Sequence, residues 1–296
     1  MPSRVPPALL LVAPIVLLGA GAIVLALVGE QAGQAVEERR TETDAGVEPV
    51  AHAPGDDRTD APSDAGVTLA APADPDRFAP DGAILAEPSG TDYECLQPAL
   101  EIAREPACER GEPYPACRWM LPSTRDANGL YRVWRNTTDD HRWARPGLVS
   151  LVLAAAREYQ RRWPGEQVTI GDLDAAGPRH QTHDRGVDVD LYLEHAMIAT
   201  NIGGGNYLET YQGRPPRIVR LLRARVLDLA RILGRCSGGR LRIYYNDDEV
   251  VAAFRAWFDG EGLTSDVGLP MLPHNALHRF HFHMTVAEDL APLPVE

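Results

Sequence analysis

The sequence predicts an α+β fold: a small antiparallel sheet flanked by helices, preceded by an N-terminal membrane segment and a disordered linker. Three observations lead there. Two short stretches, VDVDLYL at 187–193 and HRFHFHMTV at 278–286, alternate with period two, as half-buried strands do. Two longer stretches, 146–163 and 217–233, repeat apolar residues at helical spacing. Residues 30–90 are rich in Ala, Pro, Asp and Gly and show neither pattern.

Taken in order, the chain begins with one charged side chain, Arg4, and an uncharged run from Val5 to Gly29. Such a run is long enough to cross a bilayer, which takes roughly 20 apolar residues. Residues 1–29 are therefore expected to be an uncleaved anchor with a cytoplasmic N-terminus; a cleaved export signal is the alternative. Residues 30–90 cannot bury enough apolar surface to offset ordering entropy and read as an acidic, flexible linker. Residues 30–92 hold 15 acidic and 4 basic side chains, so most of the net charge of −13 sits there. The remainder is near neutral, and nothing in it favours nucleic acid.

The folded domain is expected over 91–296. Its lead-in, 91–118, holds Cys95, Cys108 and Cys117, and Cys236 lies far downstream. Four cysteines in an exported chain suggest two disulfides, with three connectivities open. Asn128-Gly129 marks an expected hairpin. Pro146 opens the first helix and Pro164-Gly165 ends it. Val168-Thr169-Ile170 reads as a short strand leading to Gly171-Asp172. Residues 201–216 read as loop. Gly203-Gly204-Gly205 lacks the Lys-Ser/Thr of a phosphate cradle, and suits the edge of a substrate groove better. In the second helix Ile218, Leu221, Leu222, Val226, Leu229 and Leu233 form the buried stripe, with Arg220, Arg223 and Arg231 on a solvated face. A strand at 241–245, a helix at 249–258, a loop and the last strand at 278–286 complete the domain. The tail after Glu288 is expected to fray.

Chemistry concentrates on the two alternating stretches. In the first, Asp188 and Asp190 share one face while Val187, Val189 and Leu191 take the other. His183 precedes Asp190 by seven positions, across a turn at Gly186. In the last strand His281 and His283 share a face, opposite Phe280, Phe282 and Met284. Laid side by side, the strands bring His183, Asp190 and His283 together. Two imidazoles and a carboxylate suffice to ligate a catalytic Zn2+, one per chain. A serine triad finds no Gly-x-Ser-x-Gly turn. Two carboxylates two apart on one strand point the same way and cannot flank a glycosidic bond.

His183 and Asp190 seven apart, followed by a distant His-x-His, resemble the zinc signature of the LAS metallopeptidases. The segment His183-Asp184-Arg185-Gly186-Val187-Asp188-Val189-Asp190, Gly171-Asp172-Leu173, and His278, His281 and His283 most resemble the penicillin-insensitive murein endopeptidases. The resemblance covers about residues 120–286, and the polar pair Asp184-Arg185 departs from it. It implies His183, Asp190 and His283 as metal ligands, with His281 and His278 as general base or stabiliser of the tetrahedral intermediate. His180 would orient a ligand from nearby, and Asp188 could accept from a ligand imidazole. The implied reaction is hydrolysis of D-alanyl–diaminopimelyl cross-links of peptidoglycan, without an acyl-enzyme and so without inhibition by β-lactams. The implied place is the periplasm, with the domain tethered to the inner membrane. Two other readings stay open: a D,D- or L,D-carboxypeptidase trimming stem peptides, and a wall-binding module with a structural metal.

Overall fold

The computed structural model describes residues 92–174, 183–203 and 206–296. The expected anchor (1–29), the linker (30–90) and His180 lie outside the described residues. Among the described residues, no helix is long and apolar enough to cross a membrane.

In chain order the elements are β1 (Trp119–Met120), β2 (Tyr131–Val133), β3 (Trp143–Ala144), α1 (Pro146–Arg162), β4 (Val168–Ile170), β5 (Asp188–Tyr192), β6 (Ala199–Gly203), β7 (Asn206–Glu209), α2 (Pro216–Cys236), β8 (Leu241–Tyr244), α3 (Asp248–Gly260), β9 (Met271–Leu272) and β10 (Phe282–Val286). The main sheet has six strands in the order β2-β4-β5-β10-β8-β9. Its centre is antiparallel: β4 with β5, β5 with β10, β10 with β8. Both edges are parallel, β2 with β4 and β8 with β9. The sheet is thus mixed, and wider than the small antiparallel one the sequence predicts. Parallel neighbours need a crossover, usually a helix. Here α1 carries the chain from β2 to β4, and α3 from β8 to β9.

Strand parity divides the sheet into two faces. Val189 and Leu191 of β5, Phe282 and Met284 of β10, and Leu241 and Ile243 of β8 are buried in one core. Leu148, Leu151, Val152 and Tyr159 of α1, Val226, Leu229 and Leu233 of α2, and Phe254 and Phe258 of α3 fill the same core. Each such side chain contributes roughly 1.5–3 kcal/mol by leaving water. Pro146 stands at the start of α1, where a missing N–H costs nothing. Asp247 caps α3, accepting from the N–H groups of Glu249 (3.1 Å) and Val250 (3.3 Å). With one face given to the helices, the polar side chains of β5 and β10 collect on the other.

Four local expectations fail, each for a physical reason. Asn128-Gly129 does turn the chain, both at positive φ, but β2 then pairs with β4 and no hairpin forms. The stretch expected as loop from 201 contains the hairpin β6–β7, whose exposed residues hid the alternation. The last strand starts at Phe282, because residues 276–279 wind into a 3-10 turn capped by Asn275. Phe280 therefore leaves the main core and packs with Tyr192, Ala199 and Trp134. The tail is held: Leu293 N–H donates to Ser150 (2.7 Å), and Arg157 pairs with Glu296 at 2.8 Å.

The four cysteines form Cys95–Cys236 and Cys108–Cys117. The first ties the lead-in to the end of α2, across 141 residues of sequence. The second closes a short loop, with a separation of 9. Two disulfides mark a protein of an oxidising, extracytoplasmic compartment.

Candidate metal centre

The register of β5 against β10 sets His283 directly opposite Asp190, and Thr285 opposite Asp188. His183 comes from the turn before β5. The three side chains expected to meet do meet. His183 Nε2 lies 3.2 Å from His283 Nδ1, and that atom lies 3.2 Å from Asp190 Oδ1. His183 Nε2 and Asp190 Oδ1 are 3.7 Å apart. Tetrahedral bonds of about 2.0–2.1 Å to one ion would set donor atoms roughly 3.3–3.4 Å apart. The spacing therefore fits a shared ion, and this buried group could hold one.

Around the three ligand candidates the same face supplies partners. Asp188 Oδ1 is 3.4 Å from His283 Nε2, and accepts from the Thr285 hydroxyl at 2.6 Å. A carboxylate on the far nitrogen of a ligand imidazole fixes its tautomer and raises its basicity. His281 Nε2 stands 3.4 Å from Asp190 Oδ1. His278 is buried with its ring 5.1 Å from that of His281, and its Nδ1 is 3.1 Å from Nδ1 of the exposed His274. His278 and His281 thus join the cluster as expected. His274 extends it outward, stacked on Tyr244 at 4.4 Å.

The electrostatics follow from burial and neighbours. Burial alone would raise the Asp190 carboxyl, but His281, His283 and His183 outweigh it and hold the group well below the carboxylate range. Burial would lower His283, yet Asp188 and Asp190 on its two nitrogens push it up to about 9. Burial, with His281, His283 and His274, pushes His278 down to about 3. His281 also falls, chiefly through burial against the opposing pull of Asp190. A protonated His283 thus sits between Asp188 and Asp190, while His278 and His281 are held toward the neutral form.

A ligand nitrogen must be deprotonated, so an ion binding at pH 7 displaces the proton on His283. Below about 9, affinity should weaken as pH falls, and calorimetry in buffers of different ionisation enthalpy should register about one proton released per ion. No proton release at pH 7 would contradict a protonated His283.

Several contributors were missed although their parity was readable. Tyr192 shares the face of Asp188 and Asp190, and Thr285 that of His281 and His283. Tyr192 stacks on Trp134 at 4.7 Å and lies 5.3 Å from His281. Phe280 follows, and Tyr207 of β7 stacks on it at 4.9 Å. Tyr207 thus brings β7 alongside this aromatic row; Gly204 and Gly205, of the glycine stretch expected to edge a substrate groove, lie outside the described residues. Tyr244 could not have been foreseen, since only the β8–β10 register places it opposite His283. Gly171 has a local reason: a β-carbon there would come within 2.9 Å of Tyr192 Cε2 and 3.0 Å of Asp190 Cβ. A side chain would push the 171–172 turn off β5.

No family model, curated protein or solved structure matches the chain. What fold and site define is an α+β protein with a buried His-Asp-His group able to hold a metal ion.

Proposed function

We propose that the chain is a zinc-dependent murein endopeptidase hydrolysing D-alanyl–diaminopimelyl cross-links. The observation that carries the reading is the spacing of three donor atoms at 3.2, 3.2 and 3.7 Å on a buried sheet face, with a further imidazole beside them. Two nitrogens and one carboxylate oxygen suit zinc and leave a fourth position for water. Zinc, when bound, would supply Lewis acidity that makes water nucleophilic near neutral pH and polarises the scissile carbonyl.

The remaining steps belong to the chain's own side chains. Asp188 holds the Nε2 proton of His283 and so presents Nδ1 to the ion. His281, kept neutral by burial, takes a proton from the attacking water at Nε2 and returns it to the leaving amine. His278, neutral beside it, donates toward the developing oxyanion. Trp134, Tyr192, Phe280 and Tyr207 wall one side and limit water. The bond itself comes from the resemblance of His183–Asp190 and His278–His283 to the murein endopeptidases. The disulfides, and the apolar run at 5–29, suit a domain tethered in the periplasm.

The test is a digest of cross-linked muropeptides by the zinc-loaded full-length protein, read by mass spectrometry. Dimers should fall to monomers, a chelator should stop the reaction, and zinc should restore it. Stems shortened by one terminal residue would point instead to a carboxypeptidase. Retention on sacculi with no product released would replace the enzyme by a binding module.

A further inference from the structure

The loop closed by Cys108 and Cys117 reaches the segment that carries His183. Its Tyr114 touches that segment on both sides of the ligand. The phenol donates to the Asp174 carboxylate, nine residues before His183. Its ring covers Gly186, three residues after. A β-carbon on Gly186 would stand 2.5 Å from Tyr114 Cε2 and 3.1 Å from Arg145 N, and the glycine sits at φ +63°. Only a residue without a side chain lets the ring lie there.

Arg145 completes the arrangement. Its guanidinium lies over the Tyr114 ring, 4.7 Å from the centroid. Its Nε donates to Arg185 O at 3.0 Å, and its backbone N–H to Gly186 O at 3.1 Å. Burial, then the Asp174 carboxylate, raises the phenol above its ordinary range, so it keeps its proton and goes on donating. Tyr114 thus spans the two ends of the segment that holds one ligand, while Asp190 and His283 are fixed by the sheet. His183 is the one candidate ligand that lies outside the strands of the sheet.

We propose that Tyr114, held by the Cys108–Cys117 disulfide, is a positioning residue for His183, so that closing this disulfide tightens the metal centre. The inference rests on the reading of the triad as a metal site. A chelating side chain must sit within about 0.5 Å of its productive place, and supporting contacts set that tolerance. With the two thiols free, the loop regains conformational entropy and Tyr114 is no longer confined to Gly186. Closure is a thiol–disulfide exchange: a disulfide-bearing oxidant takes two electrons and two protons and leaves as two thiols, while the Cys108 and Cys117 sulfurs join. The chain would therefore hold its ion weakly in a reducing compartment and tightly once oxidised.

The experiment measures zinc affinity by chelator competition, and apo-protein melting in parallel, on the full-length chain. The variants are Tyr114→Ala, Tyr114→Phe, the double change Cys108→Ser/Cys117→Ser, and the control Cys95→Ser/Cys236→Ser. Tyr114→Ala and Cys108→Ser/Cys117→Ser should weaken zinc roughly 10–100-fold, the usual range for a lost supporting partner. Tyr114→Phe, which keeps the ring on Gly186, should recover part of that loss. The control should lower the melting temperature and leave affinity unchanged. Unchanged affinity in the Tyr114 and Cys108/Cys117 variants would overturn the proposal alone, as would an equal loss in the control. Wild-type protein that binds no zinc would overturn the metal reading as well.

Discussion

His283→Ala should abolish stoichiometric zinc binding and slow cross-link cleavage by on the order of 1,000-fold or more. The imidazole supplies one of three donors and sits within 3.2 Å of both others. A metal's stabilisation of developing charge is worth several kcal/mol, and each ~1.4 kcal/mol is tenfold in rate. The variant also leaves Asp188 and Asp190 side by side without the imidazole between them, so its folding must be checked by circular dichroism. His183→Ala separates the effects. It removes a donor yet keeps His283 between Asp188 (3.4 Å) and Asp190 (3.2 Å). Both variants should lose the ion and the activity. Wild-type cleavage by either one in chelator-treated buffer would remove the metal from the reaction.

Asp228→Ala should cost about 3–5 kcal/mol of folding stability, the loss expected when one partner of a buried ion pair goes. Asp228 of α2 is bound by Arg162 of α1 through Nε at 2.8 Å and Nη2 at 2.9 Å, and by Trp163 Nε1 at 2.8 Å. The Tyr93 hydroxyl adds a bond at 3.2 Å. Both side chains of the pair are only 6% exposed, so alanine at 228 takes the paired carboxylate away from a buried guanidinium. The double change Arg162→Met/Asp228→Leu should recover part of the loss, because it removes both charges together while Trp163 Nε1 still loses its acceptor. Urea unfolding reads both. A loss under ~1 kcal/mol for Asp228→Ala would mean water reaches Arg162.

The same pair shows where sequence reading reaches its limit. Arg162 falls in the last turn of the helix expected between Pro146 and Pro164, and α2 was legible as an apolar stripe with a solvated arginine face. That Asp228 turns inward to meet Arg162 depends on how α1 and α2 lie together, which no local pattern encodes. Arg223 behaves alike: on the expected solvated face, it pairs with Asp247 at 2.8 Å and Glu249 at 2.6 Å. The parallel edges were missed for the converse reason. The helices α1 and α3 were visible, but short flanking strands such as Tyr131–Val133 and Met271–Leu272 carry too few residues to display a period. The β6–β7 hairpin was missed because both its faces are largely open, leaving little apolar alternation to read.

Sequence alone determined which residues could gather at the centre. Alternation sorts side chains by face, and that rule is local: Asp188 with Asp190, and His281 with His283, were sorted before any partner strand was known. Tertiary structure decided what they gather with. Register set His283 opposite Asp190 and carried Tyr244 alongside, and the disulfides took one pairing out of three. Register and pairing are long-range choices, made by the packing of the whole core, so no single stretch of chain contains them.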